Sequence, residues 1–437
     1  MINIVIHRVA EGETIYSISA EYGISAERII QDNRLQNPDS LVVGQTIVIL
    51  FPLETYTVAE GDTLDKISEK TGVPVLTLRR NNPVLNTGLF IYPGQTLVLE
   101  YRGRKLGNID VLGYAYTYIE DYLLAQTMPF LTYMNIFSYG ITPSGGLIPA
   151  DDEKIIAYAK EYGVKPILVL TSLNKYGVFS SETVSMLLAD KSAQDRLIEN
   201  VSSVLNSKGY YGLDVDIEFI EPQYAEEYAA FLGRLRIRLN SMGKVLFTAL
   251  APKISADQTG LLYEGHNYRL LGEASDYVFL MTYEWGYTYG PPMAVAPINN
   301  VKRVVDYALT EIPAEKIFMG IPNYGYDWSL PYISGESKAE SISNVRAVQT
   351  AEAFNAEILY DITAQSPHFN YFSSNISPLV SAVNEHEVWF EDAESIRKKL
   401  ELLNENNLRG GGYWNLMRQF PQNWLVLNSL FNINNDS

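Results

Sequence analysis

From about residue 106 onwards, this 437-residue chain alternates between short apolar stretches typical of buried strands and longer stretches with helical periodicity. The eight candidate strands are 109–116, 130–137, 164–170, 210–218, 245–251, 276–283, 316–322 and 410–415. Helical patterns lie between them, such as 151–162, 193–207, 224–241 and 301–309. Because parallel strands need helical crossovers, this order predicts an α/β chain in which residues 106–437 form one (β/α)8 barrel, a TIM barrel.

The interval between the seventh and eighth candidate strands, about 323–409, is longer than one crossover helix requires. It contains short strand-like pieces at 357–362, 368–373 and 387–391. These pieces predict an α+β insertion between strands seven and eight of the barrel.

The start of the chain repeats one pattern, because residues 7–49 match residues 56–99. The pairs at an offset of 49 are Val9/Val58, Gly12/Gly61, Thr14/Thr63, Ile18/Ile67, Gly23/Gly72 and Asn33/Asn82. After one inserted residue, Gly44-Gln45-Thr46 matches Gly94-Gln95-Thr96. Each unit reads as a strand, a helix opened by a capping Thr, a second helix and a closing strand. The repeat therefore predicts two small β-α-α-β domains, at 1–51 and 52–101.

Both units resemble LysM domains. The signature is Val-x-x-Gly-(Asp/Glu)-Thr near the start, Asp-Asn or Asn-Asn in the middle, and Gly-Gln-Thr near the end. The resemblance implies binding of glycans that contain N-acetylglucosamine, such as peptidoglycan and chitin. The short connection at 100–108 predicts that the units lie close to the barrel.

Residues 213–218 alternate three apolar side chains with three acids, Asp214, Asp216 and Glu218. On a strand, successive side chains of one face lie roughly 6–7 Å apart, so the three charges would repel one another. A protein tolerates such a series where protons are shared or charge is needed, and an acid–base site is the usual place. The alternative is a solvated edge strand, but the flanking Tyr-Tyr-Gly and Phe-Ile segments argue against it.

The order of the acids along the strand predicts different tasks, because the active site of such a barrel lies at the carboxyl ends of its strands. Glu218 ends the strand and can reach a substrate, whereas Asp216 and Asp214 lie deeper and are expected to share a proton. A common retaining glycosidase needs two carboxyls on opposite sides of the scissile bond. Acids from one strand lie on one side, which fits attack by the substrate's own acetamide group better.

The acidic strand resembles the motif of glycoside hydrolase family 18, and the resemblance extends over residues 106–437. The family pattern Asp-x-x-Asp-x-Asp-x-Glu appears here as Tyr211-x-x-Asp214-x-Asp216-x-Glu218, so a tyrosine replaces the first acid. The replaced position, Tyr211, is the member of the family's hydrogen-bonded series of acids that lies farthest from the substrate. The terminal acid, Glu218, is present.

Two further motifs fall on the expected strands. Tyr283, in Met-Thr-Tyr, matches the family's Met-x-Tyr at the end of strand six, and Trp414 matches the tryptophan that ends strand eight. The resemblance implies that Tyr283 positions the acetamide oxygen and that Trp414 stacks beneath the sugar. An ordinary core residue is the alternative for Trp414.

The resemblance also implies a role for each acid. Glu218 protonates the glycosidic oxygen and then deprotonates water, Asp216 orients the acetamide N–H and stabilises the oxazolinium ion, and Asp214 supports Asp216. A purely structural Asp214 is the alternative. Further candidate substrate contacts are Tyr116, Glu284, Tyr324, Tyr326 and Trp328, with loop packing as the alternative for Tyr324 and Tyr326.

Composition excludes several other classes of function. The net charge of −18 argues against nucleic acid and anionic lipid as partners. Cysteine is absent and only four histidines occur, without a His-x-x-x-His pair, so no metal and no cofactor are expected. No apolar run approaches the ~18 residues of a membrane span, and the first residues do not resemble a cleaved signal peptide.

Two LysM units before a family 18 barrel resemble the spore cortex-lytic N-acetylglucosaminidases of spore-forming bacteria. The resemblance implies cleavage of peptidoglycan strands after N-acetylglucosamine. It implies a location in the cortex or coat region of the spore, or otherwise at the cell wall. The alternatives are a chitinase or another endo-β-N-acetylglucosaminidase, and a non-catalytic, lectin-like glycan-binding protein.

Overall fold

A computed structural model of the chain describes residues 4–88, 90–174, 177–377 and 380–435. The two repeated units have the same order of elements. The first contains β1 (Ile4–Arg8), α1 (Ile15–Tyr22), α2 (Ala26–Asn33) and β2 (Thr46–Leu50). The second contains β3 (Pro52–Thr57), α3 (Leu64–Thr71), α4 (Val75–Asn81) and β4 (Thr96–Tyr101). The two strands of each unit pair in antiparallel fashion, as the repeat predicts.

The helix boundaries in the repeat follow from its matched residues. The Thr14 side chain accepts a hydrogen bond from the Ser17 backbone N–H and opens α1, and Gly23 ends that helix at φ 67°. In the second unit, Thr63 and Gly72 do the same for α3. A side-chain cap satisfies a free N–H of the first turn, and glycine adopts a positive φ without a steric penalty.

The rest of the chain alternates strands and helices. Its strands are β5 (Gly107–Tyr116), β6 (Tyr133–Ile141), β7 (Leu147–Ile148), β8 (Lys165–Thr171), β9 (Gly212–Asp216), β10 (Val245–Leu250), β11 (Tyr277–Leu280), β12 (Ile317–Pro322), β13 (Gly325–Ser329), β14 (Glu340–Ile342), β15 (Leu359–Asp361), β16 (Ser366–Ser377), β17 (Val380–Trp389), β18 (Gly410–Trp414) and β19 (Phe431–Ile433). Its helices are α5 (Asp121–Thr127), α6 (Glu153–Glu161), α7 (Ser181–Ala189), α8 (Lys191–Lys208), α9 (Ala225–Asn240), α10 (Leu261–Glu264), α11 (Tyr268–Ala274), α12 (Ile298–Glu311), α13 (Asn344–Ala353), α14 (Ala393–Glu405) and α15 (Pro421–Leu430).

Eight of these strands close into a parallel barrel, which confirms the predicted (β/α)8 fold. Their order around the barrel is β5, β6, β8, β9, β10, β11, β12 and β18, and β18 pairs with β5 to close it. The second strand begins at Tyr133 and not at residue 130, because 128–130 form a short 3-10 turn that contains Pro129. Proline has no N–H to donate to a central strand, so pairing begins only after it.

The predicted insertion between the seventh and eighth barrel strands is also confirmed. It is a five-stranded antiparallel sheet in the order β14-β13-β17-β16-β15, with α13 packed on one face. The sheet ends at Trp389, and the following helix, α14, packs on β12 and β18 of the barrel. No helix in the described part of the chain is both long and apolar enough to cross a membrane.

Candidate active site

Strand β9 carries the acids into the mouth of the barrel. Asp214 is fully buried and Asp216 is 7% exposed, whereas Glu218 lies two residues beyond the end of the strand. The backbone between the last two acids is held by His266, whose imidazole accepts from the Ala251 N–H and donates from Nε2 to the Ile217 carbonyl at 3.2 Å. The fourth barrel strand, β9, is therefore shorter than the predicted 210–218 and ends at Asp216. The last acid of the series, Glu218, lies in the turn that follows.

Asp214 receives two hydrogen bonds from the neighbouring barrel strands. The Tyr114 hydroxyl donates to Oδ2 at 2.6 Å, and the Asn135 amide donates to the same oxygen at 2.9 Å. Burial raises the pKa of Asp214 to about 6, although both hydrogen bonds oppose the rise because they favour the charged form. The Tyr211 ring packs instead under Lys165, whose Nζ lies 4.8 Å from the ring centroid.

Asp216 lies between the two other acids of the series. Burial raises its pKa well above the ordinary value, and the charges of Glu218 and Asp214 raise it further. Oδ1 of both Asp214 and Asp216 is buried without a hydrogen-bond partner among the described residues. A carboxyl oxygen without a donor beside it can carry the proton when the group is neutral.

Glu218 has the electrostatics of a general acid. Burial raises the pKa of Glu218 to about 7, and the charge of Glu284 also raises it. A carboxyl with a pKa near the working pH is protonated often enough to donate and basic enough to accept. The sequence places Glu218 at the mouth, and the structure adds Glu284 as its charged neighbour.

Glu284 is held by two tyrosines that the sequence singles out. The hydroxyls of Tyr324 and Tyr326 both donate to its carboxylate, that of Tyr326 at 3.0 Å. Both rings are 5% exposed, so they present little surface at the rim. Trp328 is 1% exposed and donates from Nε1 to the Gly290 carbonyl, so the expectation of a rim contact for Trp328 was wrong.

An aromatic floor lies beside the acids. The Trp414 ring lies 5.7 Å from Tyr114, 6.0 Å from Tyr116 and 5.1 Å from Phe137, between ring centroids, and is partly exposed. Tyr116 stacks on Tyr118, whose ring is 71% exposed. Partly open aromatic rings of this kind offer flat apolar surfaces to the faces of sugars.

Tyr283 borders the same space from the segment that follows the sixth barrel strand, because β11 ends at Leu280 and not at residue 283 as predicted. A Cβ at Gly320 would lie 2.7 Å from Cε1 of Tyr283, so glycine at this position leaves room for the ring. Burial and the charges of Asp216, Glu218 and Glu284 raise the pKa of Tyr283 far above its ordinary value. Its hydroxyl therefore keeps its proton and remains a donor.

The structure brings Asp214, Asp216, Glu218, Tyr283 and Glu284 close enough together for their charges to raise one another's pKa. Sequence reasoning missed four residues near them, namely Tyr114, Tyr118, Asn135 and His266. A polar asparagine in an apolar strand was a signal that could have drawn attention to Asn135. Nothing in the local pattern distinguishes the others.

One group of potential metal ligands occurs among the described residues. His7, Glu13 and Glu21 lie close together in the first repeated unit. His7 Nε2 already contacts Glu13 at 2.8 Å, and Nδ1 contacts the Tyr22 hydroxyl. This group lies outside the barrel mouth and takes no part in the candidate site.

Comparison with known proteins defines the class. Residues 115–418 match the family model of glycosyl hydrolases family 18, and residues 7–50 and 56–100 match the LysM domain. The chain belongs to glycosyl hydrolase family 18 and carries two LysM domains, here LysM1 (7–50) and LysM2 (56–100). It is therefore a glycoside hydrolase.

Particular relatives cover almost the whole chain. It is 39% identical to the "Cortical fragment-lytic enzyme" of Bacillus subtilis (strain 168) over 431 residues, 98% of each chain. The corresponding protein of Bacillus anthracis is 37% identical over 97% of this chain and 98% of its own. The crystal structure of the Bacillus cereus spore cortex-lytic enzyme SleL is similar with a TM-score of 0.83 and 37% identity, over 99% of both chains.

Proposed function

We propose that the chain hydrolyses the β-1,4 bond after N-acetylglucosamine in the peptidoglycan of the spore cortex. The observation that carries the proposal is the acidic series at the end of β9: Asp214 and Asp216 are buried in the strand, and Glu218, two residues beyond it, has a pKa of about 7. The relatives support the substrate, because their names refer to cortical fragments and to the spore cortex.

The acids on one side of the site favour substrate-assisted catalysis. Glu218 donates its proton to the glycosidic oxygen as the bond to C1 breaks. The acetamide oxygen attacks C1, Asp216 accepts a hydrogen bond from the acetamide N–H, and the positive oxazolinium ion is stabilised by that carboxylate. Glu218 then takes a proton from water, whose oxygen attacks C1. This attack opens the oxazolinium ring and retains the configuration at C1. Asp214 supports Asp216 and shares its proton.

The surrounding residues position the sugar in this scheme. The Tyr283 hydroxyl donates to the acetamide oxygen, and Trp414 stacks under the ring that is cleaved. Tyr116 extends the aromatic floor. Glu284 accepts hydrogen bonds from Tyr324 and Tyr326, which fix its carboxylate where it can accept a further hydrogen bond from a sugar hydroxyl.

The LysM units (domains 1–51 and 52–101) bind the glycan, in this proposal, while the domain at 106–437 cleaves it. The enzyme would act in the cortex of the spore. The net charge of −18 means that the anionic peptidoglycan must be held by shape, stacking and hydrogen bonds.

Mass spectrometry of the products from cortex fragments tests the substrate. A reducing-end N-acetylglucosamine is the expected product, and a reducing-end muramic sugar would contradict the proposal. Soluble chitin oligomers provide the comparison: a much higher kcat/KM on these than on cortex fragments would make the enzyme a chitinase.

Glu218→Gln tests the acid. The expected result is a loss of at least about a thousandfold in kcat, because the amide cannot donate a proton to the leaving oxygen. Binding to cortex fragments should remain, which co-sedimentation of the variant measures. Wild-type turnover by this variant would remove Glu218 from the mechanism.

A further inference from the structure

The two LysM units contain equivalent turns that have different surroundings. The turn before the closing strand contains Val42, Val43 and Gly44 in LysM1, and it matches Tyr92, Pro93 and Gly94 in LysM2. The backbone is the same in both copies: Gly44 and Gly94 have φ of 84° and 87°. Each glycine N–H donates at 2.8 Å to the carbonyl of the matched valine, Val9 or Val58.

The surroundings of the two turns differ. Tyr92 is 60% exposed, and a Cβ built at Gly94 would meet nothing within 4 Å. Val42 is 6% exposed, and a Cβ at Gly44 would clash with the Ile358 carbonyl. Since the local structure is shared, the difference comes from what packs against each copy.

The partner of the LysM1 turn is the inserted sheet. The Ile358 N–H donates to the Val43 carbonyl at 2.9 Å, as one strand would to another. The Val42 side chain packs in the core under that sheet. The other members of this core are Ile342, Ala347, Ala351, Ile358, Phe369, Tyr371, Val388 and Phe390.

Arg8 fastens the same contact at a second point. Its guanidinium donates to the Gly44 carbonyl at 2.6 Å, pairs with Asp392 at the start of α14 at 3.1 Å, and lies 4.7 Å from the Tyr360 ring centroid. The matched position in LysM2 is Thr57. Arg8 thus joins LysM1, a barrel helix and the insertion.

The opposite face of the braced sheet borders the active site. In β13, Gly325 pairs with Ile342, which belongs to the same core as Val42, and a Cβ at Gly325 would lie 2.6 Å from the Phe390 side chain. The next residue, Tyr326, points to the other face and donates to Glu284. A shift of the sheet on its core therefore moves a tyrosine that holds Glu284.

We propose that LysM1 is a positioning element of the active site, because its turn 42–44 braces the inserted sheet and so keeps Tyr326 and Glu284 in place. The inference rests on the proposed site but needs neither the cortex substrate nor glycan binding by the LysM units. LysM1 would then be required even for substrates too short to need anchoring.

Gly44→Ala and Gly94→Ala form a matched pair that tests this role. Both put a Cβ on a backbone of positive φ, so the local strain is equal, but only the first also strikes the inserted region. On a short soluble N-acetylated oligosaccharide, we expect Gly44→Ala to lower kcat/KM at least about fivefold relative to Gly94→Ala, with a raised KM, because small misplacements near a site are costly. A mere loss of folded protein would lower kcat and leave KM unchanged.

Hydrogen exchange of residues 323–342 gives a readout that does not depend on turnover. Exchange should accelerate in Gly44→Ala and remain at the wild-type rate in Gly94→Ala. If Gly44→Ala does not fold, Val42→Ala replaces it, with Tyr92→Ala as its control. Equal exchange rates and equal kcat/KM in the two members of a pair would contradict the positioning role of LysM1. If the wild-type enzyme were inactive but the two variants still differed in exchange as expected, only the proposed function would be contradicted.

Discussion

The alternating acids illustrate what single residues decide. Period two places Asp214 and Asp216 on one face of a strand, but it does not say which groups they meet there. The hydrogen bonds to Asp214 come from Tyr114 and Asn135, which are 100 and 79 residues away in the chain. Tyr211, at the position of the family's first acid, lies under Lys165. The support of Asp214 therefore comes from the strands beside it.

Asp214 could depend on Tyr114 of the neighbouring strand or on Tyr211 at the position of the family's first acid. Removing the hydroxyl of each tyrosine in turn distinguishes the two. Tyr114→Phe should lower kcat/KM about 10- to 100-fold, because a hydrogen bond to a charged group contributes about 1.5–3 kcal/mol. Tyr211→Phe should stay within about twofold of the wild type. Steady-state kinetics on soluble fragments measures both variants. A larger loss in Tyr211→Phe than in Tyr114→Phe would mean that Tyr211, and not Tyr114, supports Asp214.

The charge of Glu284 should be visible in the pH profile. Because that charge raises the pKa of Glu218, its removal in Glu284→Gln lowers the pKa from about 7. The proton needed for catalysis is then lost at lower pH, so the basic limb of kcat/KM moves to lower pH. The exposed Glu226 of α9 provides the control, since Glu226→Gln should leave the limb in place. An unmoved limb in Glu284→Gln would refute the coupling.

At the scale of elements, periodicity located the strands and helices, and tertiary contacts set where they end. Residues 210–218 read as one strand, yet β9 ends at Asp216 and Phe219 adopts φ 57°. His266, which follows β10 in the chain, holds this turn through the Ile217 carbonyl, and burial lowers the pKa of His266 to about 4. No strand pattern contains that information, because the contact spans 49 residues.

His266 should contribute a measurable dependence of stability on pH. Its pKa is about 4 in the folded protein and about 6.5 in the unfolded chain, so its contribution is complete above pH 6.5 and is lost as pH falls towards 4. The loss amounts to about 3 kcal/mol. Urea unfolding of His266→Gln, which keeps an acceptor and a donor without a charge, should show a smaller decline between pH 7 and 4. The raised pKa values of Asp214 and Glu218 act in the opposite direction in both proteins and cancel in the comparison. Parallel curves would contradict the buried neutral imidazole.

At the scale of the whole molecule, the LysM units are part of one body with the barrel. Val48 and Leu50 of LysM1 belong to the same core as Ile109 and Val111 of the first barrel strand. In LysM2, Arg80 donates to the Pro129 carbonyl at 2.6 Å. The short connection predicted close tethering, and these contacts provide the buried interface behind it.

The shared core predicts one cooperative unfolding transition. Calorimetry should show a single peak whose calorimetric and van't Hoff enthalpies agree, because separate melting of a LysM unit would expose part of the barrel core. Arg8→Ala, which removes the ion pair with Asp392, should lower the Tm of this peak without splitting it. Two resolved peaks in the wild type would contradict the single body.

The sequence by itself determined the barrel, the insertion, the two LysM units and the position of the acids, because these depend on local periodicity and on short motifs. Only the tertiary structure decided that Tyr114 and Asn135 support Asp214, that Tyr324 and Tyr326 hold Glu284, and that one LysM turn is buried while its copy is exposed. The physical reason is distance along the chain. A strand's period encodes which face a side chain occupies, whereas its partners on that face depend on how remote segments pack.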